Sequence, residues 1–320
     1  LIVDYKEDKY VVNIEVLDTS ESAPAGSYFL SGEGFSLEEA LNNIYFDSAS
    51  TPFFSHMKTL ILSKNVAEDG IDKFLDFLLR DTQFRRDFYI FVTEDVDSIL
   101  DFETEPKESI GEMARMNAKR NLEDNGRYLT STLRDVAFNY LRDNYYMIGS
   151  VEVIDDKITL EDTYLFIDNK MTFKVDKDAV LLENLLMKNN NRFQTYGEYT
   201  YEIHEYKFEK EIKKDKIVFT LKGHARLLDT KENDSLDDVS LDKLEKELNG
   251  DLEKTGQEII DYGRRLDHDM FNFNYYYYLY FPKLVESDTW KNIDIEFKAD
   301  LTISEKGLLL NSLGGSKNGE

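Results

Sequence analysis

FFSHMKTLILSKNVAEDGIDKFLDFLLRDTQFRRDFYIFV, Phe53 to Val92, carries three elements in forty residues. Met57 to Leu62 is a short apolar run between polar neighbours, the pattern of a buried strand. Gly70 to Arg80 places Ile71, Phe74, Leu75, Leu78 and Leu79 at helical spacing, so one face is apolar and the other charged. Phe88 to Val92 is aromatic and β-branched, which suits a pleated, buried surface. Strand, amphipathic helix and strand predict one βαβ crossover. No catalytic motif lies within it.

Outward from this unit, the chain of 320 residues is long enough for two or three domains. With 41% hydrophobic and 13% aromatic residues it folds despite 32% charged content. The formal net charge of −25 repels phosphate backbones, so nucleic acid is excluded as a partner class. No cysteine is present, so the chain holds no disulfide, thiolate metal site or cysteine nucleophile. No apolar run approaches the roughly 20 residues of a membrane-spanning helix. The chain begins within a strand and without an initiator methionine. That predicts a processed form with its targeting segment removed.

Upstream, Leu1–Tyr5 and Tyr10–Leu17 flank the turn Lys6–Lys9, a hairpin by alternation, and Thr19–Gly26 reads as loop. Tyr28–Leu30 is a further short strand, and Ser36 with Glu39 has capping-box spacing for a helix to about Phe46. Asp95–Leu100 is a helical turn or two, closing a first α+β domain over residues 1–102. Residues 103–191 form a small middle α+β domain. Thr130-Ser131-Thr132 caps a helix bearing Leu133, Val136, Tyr140 and Leu141. Strands follow at Ser150–Ile154 and Tyr164–Ile167, then an apolar helix, Asp178–Met187, ending at Asn189-Asn190-Asn191.

Residues 192–313 form a C-terminal α+β domain. Its alternating segments around Tyr199–Ile203 and Ile217–Leu221 predict antiparallel strands. The acidic loop Asp229–Ser240 precedes the longest helical pattern, Leu241 to Met270, which Gly250, Gly256 and Gly263 weaken by roughly 1 kcal/mol each if interior. Phe271–Pro282 continues or ends that helix. Ile293–Ile303 is a last strand, and 314–320 a disordered tail. The expected class is therefore α+β: three consecutive domains, each a mixed or antiparallel sheet packed with helices.

Few side chains in the sequence suggest chemistry. His56, beside Ser55, has the type of a general base, but nothing near it completes a nucleophilic arrangement. His268 between Asp267 and Asp269 has the type of a metal ligand, but neither HExxH nor a paired-His motif occurs, so we read a solvated helix end. No P-loop, GxGxxG or GxSxG is present. Carboxylates are so abundant that a catalytic pair among them is unreadable without geometry. Catalytic residues, cofactors and metals are accordingly expected to be none. Tyr275, Tyr276, Tyr277 and Tyr278, consecutive on a helix, point to all sides, which predicts a core share and a share available for a protein interface.

FSHMKTLILSKNVAEDGIDKFLDFLLRD, residues 54–81, resembles the Ger(x)C family of spore germination proteins, the C subunits of nutrient germinant receptors. The matching positions are Phe54, Ser55, His56, Met57, Lys58, Gly70, Leu75, Asp76, Phe77, Leu78, Leu79, Arg80 and Asp81. VDYKEDKYVVNIEV looks like that family's first hairpin, and TSTLRDVAFNYLRDNYY its middle segment without the prolines usual after it. LDKLEKELN, an aromatic stretch ending in FPK, Trp290 and IDIEFKADLTI agree in layout. The resemblance implies a three-domain α+β lipoprotein, held on the outer face of the spore's inner membrane by a lipidated cysteine from a removed segment. It further implies membrane-embedded A and B subunits as partners and no catalytic residues, so the 54–81 motif reads as structural. A solute-binding lipoprotein that captures a nutrient directly is the alternative.

Overall fold

The computed structural model describes residues 1–17, 27–47, 53–105, 108–143, 145–187, 192–195, 199–230, 241–269 and 272–305. The loop read over Thr19–Gly26, most of the acidic loop 229–240, the 189–191 helix end and the tail 314–320 lie outside them. The chain divides into two compact units, residues 1–122 with 128–180, and residues 123–127 with 181–320.

The first unit runs β1 (Ile2–Lys6), β2 (Lys9–Leu17), β3 (Ser27–Gly34), α1 (Leu37–Asp47), a 3-10 turn (Phe54–His56) and β4 (Thr59–Ser63). It continues with α2 (Lys64–Asp69), α3 (Asp72–Arg80), β5 (Tyr89–Thr93), α4 (Val96–Leu100) and α5 (Ile110–Arg120). Then come β6 (Ser131–Thr132), α6 (Leu133–Asp143), β7 (Tyr145–Ile154), β8 (Lys157–Ile167), β9 (Lys170–Lys174) and α7 (Lys177–Met187), within which the chain passes to the second unit. The sheet has the order β3-β2-β1-β4-β5-β7-β8-β9, with β6 beside the start of β5.

β4 and β5 pair in parallel, Leu60 opposite Ile90 and Leu62 opposite Val92, so the βαβ crossover forms as its sequence predicts. Both faces of these strands are buried. Val3, Leu60, Leu62, Ile90 and Val92 join the cluster under α1, α2, α3 and α6. Ile2, Ile61 and Phe91 join another under α4 and α5. That is why LIL and IFV are continuous apolar runs, as strands covered on two sides must be.

β7 adds to β5 in parallel, Phe91 opposite Gly149. β7, β8 and β9 thus extend the first sheet beyond residue 102, where the sequence alone suggests a domain boundary. The physical reason is that β7 has its partner in β5, an element too far away in sequence for local patterning to show. Three hairpins use two-residue turns with positive φ at both central residues: Glu7-Asp8, Asp155-Asp156 and Asp168-Asn169. Such turns match the right-handed twist of the strands they join.

The second unit holds β10 (Arg192–Thr195), β11 (Tyr199–Ile212), β12 (Lys216–Thr230), α8 (Leu241–Leu266), α9 (Phe273–Tyr280), α10 (Thr289–Asn292) and β13 (Asp294–Glu305). Its sheet is ordered β10-β11-β12-β13. β11 and β12 are antiparallel, and β13 runs parallel to β12, Phe219 opposite Phe297. α8 buries Leu244, Leu248, Leu252, Ile259 and Ile260.

The long helix ends at Leu266, and α9 is a separate element. Asp267 takes a left-handed conformation (φ 62°); its N–H donates to the Arg264 carbonyl at 3.2 Å, and the His268 N–H to the Gly263 carbonyl at 3.0 Å. This is a Schellman ending built on Asp in place of Gly. Asp269 then accepts from the N–H groups of Phe273 (2.8 Å) and Asn274 (2.7 Å) at the start of α9. The helical period ran through this break because the apolar spacing continues across it.

β13 is the sheet's edge, and α8 covers it. Glu253, Asn249 and Glu245 accept from the N–H groups of Ala299 (3.1 Å), Leu301 (2.9 Å) and Ile303 (2.9 Å). The Asn249 amide also donates to the Leu301 carbonyl at 2.9 Å. Side chains one helical turn apart meet alternate residues of the strand because four residues of helix rise about 6.0 Å and two of strand about 6.6 Å.

Candidate functional site

Phe54 and Phe77, from the two ends of the 54–81 stretch, meet in one aromatic cluster with Phe84. Phe54 is buried and stacks on Phe84 at 4.7 Å between ring centroids; Phe84 meets Phe77 of α3 edge-on at 5.8 Å. The segment leading into β4 and the helix after it are thus clamped together, so the two halves of the motif share a packing reason. Leu75 and Leu78 are buried, and Phe77 and Leu79 pack against the same core. Asp76 pairs with Arg80 at 2.8 Å on the exposed side of α3. Asp81 ends the helix and accepts from the Gln83 N–H at 2.8 Å. Gly70, between α2 and α3, has φ 125° and ψ 143°, a conformation open in practice only to glycine.

Ser55, His56 and Lys58 point away from this core. The Ser55 hydroxyl donates to the Gln83 carbonyl at 3.4 Å, and the exposed His56 ring lies 5.8 Å from that of Phe53. His56 and Lys58 line a cleft of about 490 Å³ with Phe53, Phe54, Met57, β2 residues and the start of α5. In it Glu15 accepts from the N–H groups of Ile110 (2.6 Å) and Gly111 (2.9 Å) and from the Ser27 hydroxyl (2.8 Å). Glu15 therefore serves as the anion at the N-terminus of α5, whose dipole favours one there. The cleft offers apolar walls and two exposed basic-type side chains. A second cleft, about 550 Å³, lies between the start of α1 and α3 and is lined by Asp76, Phe77, Arg80 and Asp81.

A carboxylate cluster at the ends of β5 and β7 escaped the sequence reading. Glu152 accepts from the Glu94 N–H and the Thr93 hydroxyl, both at 2.9 Å. Burial nevertheless raises its carboxyl above the ordinary range. Glu94 is lowered, first by Lys64 at 3.0 Å and then by the Tyr164 hydroxyl at 3.0 Å. A carboxyl raised in the folded state opposes folding once ionised. That penalty is full above its folded value and vanishes as pH falls below its unfolded value. Glu152→Gln keeps an acceptor for Glu94 and a partner for Thr93. It is expected to raise the thermal midpoint by a few degrees at neutral pH and to lose this advantage below about pH 4, where an ordinary Glu is protonated. A midpoint difference independent of pH would contradict this assignment.

His268 has Asp267 and Asp269 beside it in sequence, yet both carboxylates are engaged elsewhere: Asp267 pairs with Lys291 and Asp269 caps α9. Among the described residues no group of three or more His, Cys, Asp or Glu is arranged to hold a metal. Of the tyrosine run, Tyr277 is buried, Tyr276 lies edge-on to Phe219 at 5.8 Å, and Tyr275 and Tyr278 are exposed. No helix among the described residues is long and apolar enough to cross a membrane.

Residues 1–153 match a family described as "Spore germination protein N-terminal domain", and residues 161–307 match "Spore germination B3/ GerAC like, C-terminal". The chain belongs to the GerAC-like spore germination proteins. The crystal structure of the GerBC protein shares its fold, with a TM-score of 0.52 at 15% identity over 95% of this chain and 96% of that one. Comparison with curated proteins gives no match. The α+β class read from the sequence agrees with this GerAC-like fold.

Proposed function

We propose that this chain is the C subunit of a spore nutrient germinant receptor. It works by contact with membrane-embedded A and B subunits, held at the outer face of the spore's inner membrane by a lipid on an upstream cysteine. The observation that carries this reading is the pair of germination-family matches, in order, over residues 1–153 and 161–307. The exposed tyrosines of α9 support a role in contact with a partner. Spores deleted for the gene and its paralogues are expected to stop germinating on at least one nutrient and to recover when the gene returns. Normal germination on every nutrient would sink the proposal.

The cleft beside His56 and Lys58 favours a second reading, direct capture of a nutrient. Its volume of about 490 Å³ falls within the range of small-molecule sites. A ligand that binds only the folded chain raises its stability with occupancy. Thermal-shift screening against amino acids and sugars separates the readings: a saturable shift abolished by Met57→Trp supports capture, and no shift by any compound removes it.

A further inference from the structure

Two of the chain's four histidines stand directly opposite each other in the sheet of the second unit. His204 of β11 and His224 of β12 are register partners, so their side chains leave the sheet on the same face. Their ring centres lie 6.2 Å apart, with the planes inclined at 34°. Arg192 of β10 pairs with His204 on its other side, and Thr302 of β13 with His224. The backbone under both rings is therefore held by a strand on either side. Beyond the pair the ladder slips: Glu205 takes a left-handed conformation (φ 49°), and Gly223 makes room for the bulged Tyr206. A Cβ at Gly223 would lie 2.8 Å from the Cα of Tyr206. Bulges of this kind re-aim the side chains beside them.

The two rings differ in surroundings. His224 is exposed, whereas His204 is half-buried, and its Nδ1 is shielded from solvent with no hydrogen-bond partner among the described residues. A shielded polar atom left without a partner costs free energy, which a ligand bound there returns. Nearby charges do not bar a cation. On the same face Lys222 pairs with Glu209 at 2.9 Å, and Arg226 lies opposite Glu202. The chain as a whole carries −25.

We propose that His204 and His224 hold one divalent transition-metal ion of the zinc type, through one ring nitrogen each, with water completing its coordination. Zinc binds imidazole nitrogen at about 2.0–2.1 Å, so two rings on one tetrahedral ion have centres about 5 Å apart. The 6.2 Å separation closes to that by a small rotation of the exposed His224 ring. A half-turn of the His204 ring exchanges its two nitrogens, so either can face the ion. No third His, Cys, Asp or Glu joins them among the described residues, so the site is an open one. Imidazole suits zinc, copper and nickel, whereas magnesium and calcium take oxygen ligands. The ion cross-links β11 to β12 beside the bulge. The inference is independent of the receptor reading.

Isothermal titration calorimetry of the full chain with zinc chloride tests it, in a non-chelating buffer at about pH 7.5, where imidazole is unprotonated. One saturable zinc site per chain is expected, and calcium chloride should show none. His204→Gln and His224→Gln are each expected to weaken zinc uptake by about tenfold or more. His224 is exposed, so its variant keeps the fold, and circular dichroism checks both. His56→Gln and His268→Gln should leave the uptake unchanged. Magnetic resonance of the ring nitrogens gives a second readout: zinc should move the signals of His204 and His224 and leave those of His56 and His268 in place. Absence of saturable uptake, full uptake by His224→Gln, or equal loss in the His56 and His268 variants would overturn the proposal and leave the pair a ring contact only.

Discussion

Gly256→Ala is expected to destabilise the second unit, and Gly250→Ala, the same change six residues earlier in the same helix, to stabilise it. A Cβ at Gly256 would lie 2.4 Å from two ring atoms of Phe297 and 2.9 Å from its Cβ. Those atoms belong to a buried side chain near its backbone attachment on β13, so the collision cannot be relieved by a flexible tip. Around a Cβ at Gly250, among the described residues, nothing beyond its chain neighbours and the local helix backbone lies within 4 Å. There alanine only removes the entropy cost of glycine in a helix, roughly 1 kcal/mol. At Gly256 the same gain is outweighed by overpacking, which costs about 1–3 kcal/mol for small insertions into a filled core. Gly256→Leu should therefore lose about 3 kcal/mol or more and abolish cooperative melting of this unit. Equal melting temperatures for Gly250→Ala and Gly256→Ala would refute the argument.

The second large effect concerns the edge of the C-terminal sheet. Glu245→Ala/Asn249→Ala/Glu253→Ala removes the acceptors for the N–H groups of Ile303, Leu301 and Ala299. At about 1 kcal/mol net for each hydrogen bond, the stability loss is about 3 kcal/mol. The larger consequence is association, because an uncovered edge strand is a template for another chain. The triple variant is expected to elute earlier with rising concentration in size-exclusion chromatography. Glu245→Gln/Glu253→Gln, which keeps an acceptor at both positions, should elute like the parent. Concentration-independent elution of the triple variant would show that α8 does not guard this edge.

These positions also mark where sequence reading stops. The βαβ unit was legible because its strands, covered on both faces, read as unbroken apolar runs, and its helix, covered on one, keeps an uninterrupted helical period. The helix α2 was not: six residues show no period, and its start depends on the Ser63 hydroxyl accepting from the Val66 N–H at 3.2 Å. IDIEFKADLTI alternates, and alternation announces a strand without naming its neighbour, so the parallel pairing with β12 stayed hidden. Nothing in the sequence marks Glu245, Asn249 and Glu253, because a carboxylate serving a strand edge has the same letter as one serving water. Glu15 stayed hidden likewise, since the helix it caps starts almost a hundred residues later. Within FSH…LDFLLRD, Phe54 and Phe77 join Phe84 in one cluster that draws on both halves of the motif.

The alternation of tight hairpins with parallel joins also fixes an order of assembly. The hairpins β1–β2, β7–β8 and β8–β9 close across two residues, and such elements form in about 1–10 μs. The joins β1–β4, β5–β7 and β12–β13 pair Ile2 with Ile61, Phe91 with Gly149 and Ile217 with Ile295. Each must first close a long loop, with its entropy cost. Pulse-labelled amide exchange during refolding should protect Tyr145–Ile167 before Phe91 and Val92, and simultaneous protection would contradict this. Until the joins close, the chain holds finished hairpins whose β1, β7 and β12 edges are still open. That interval is when a crowded solution can most easily divert it into aggregates.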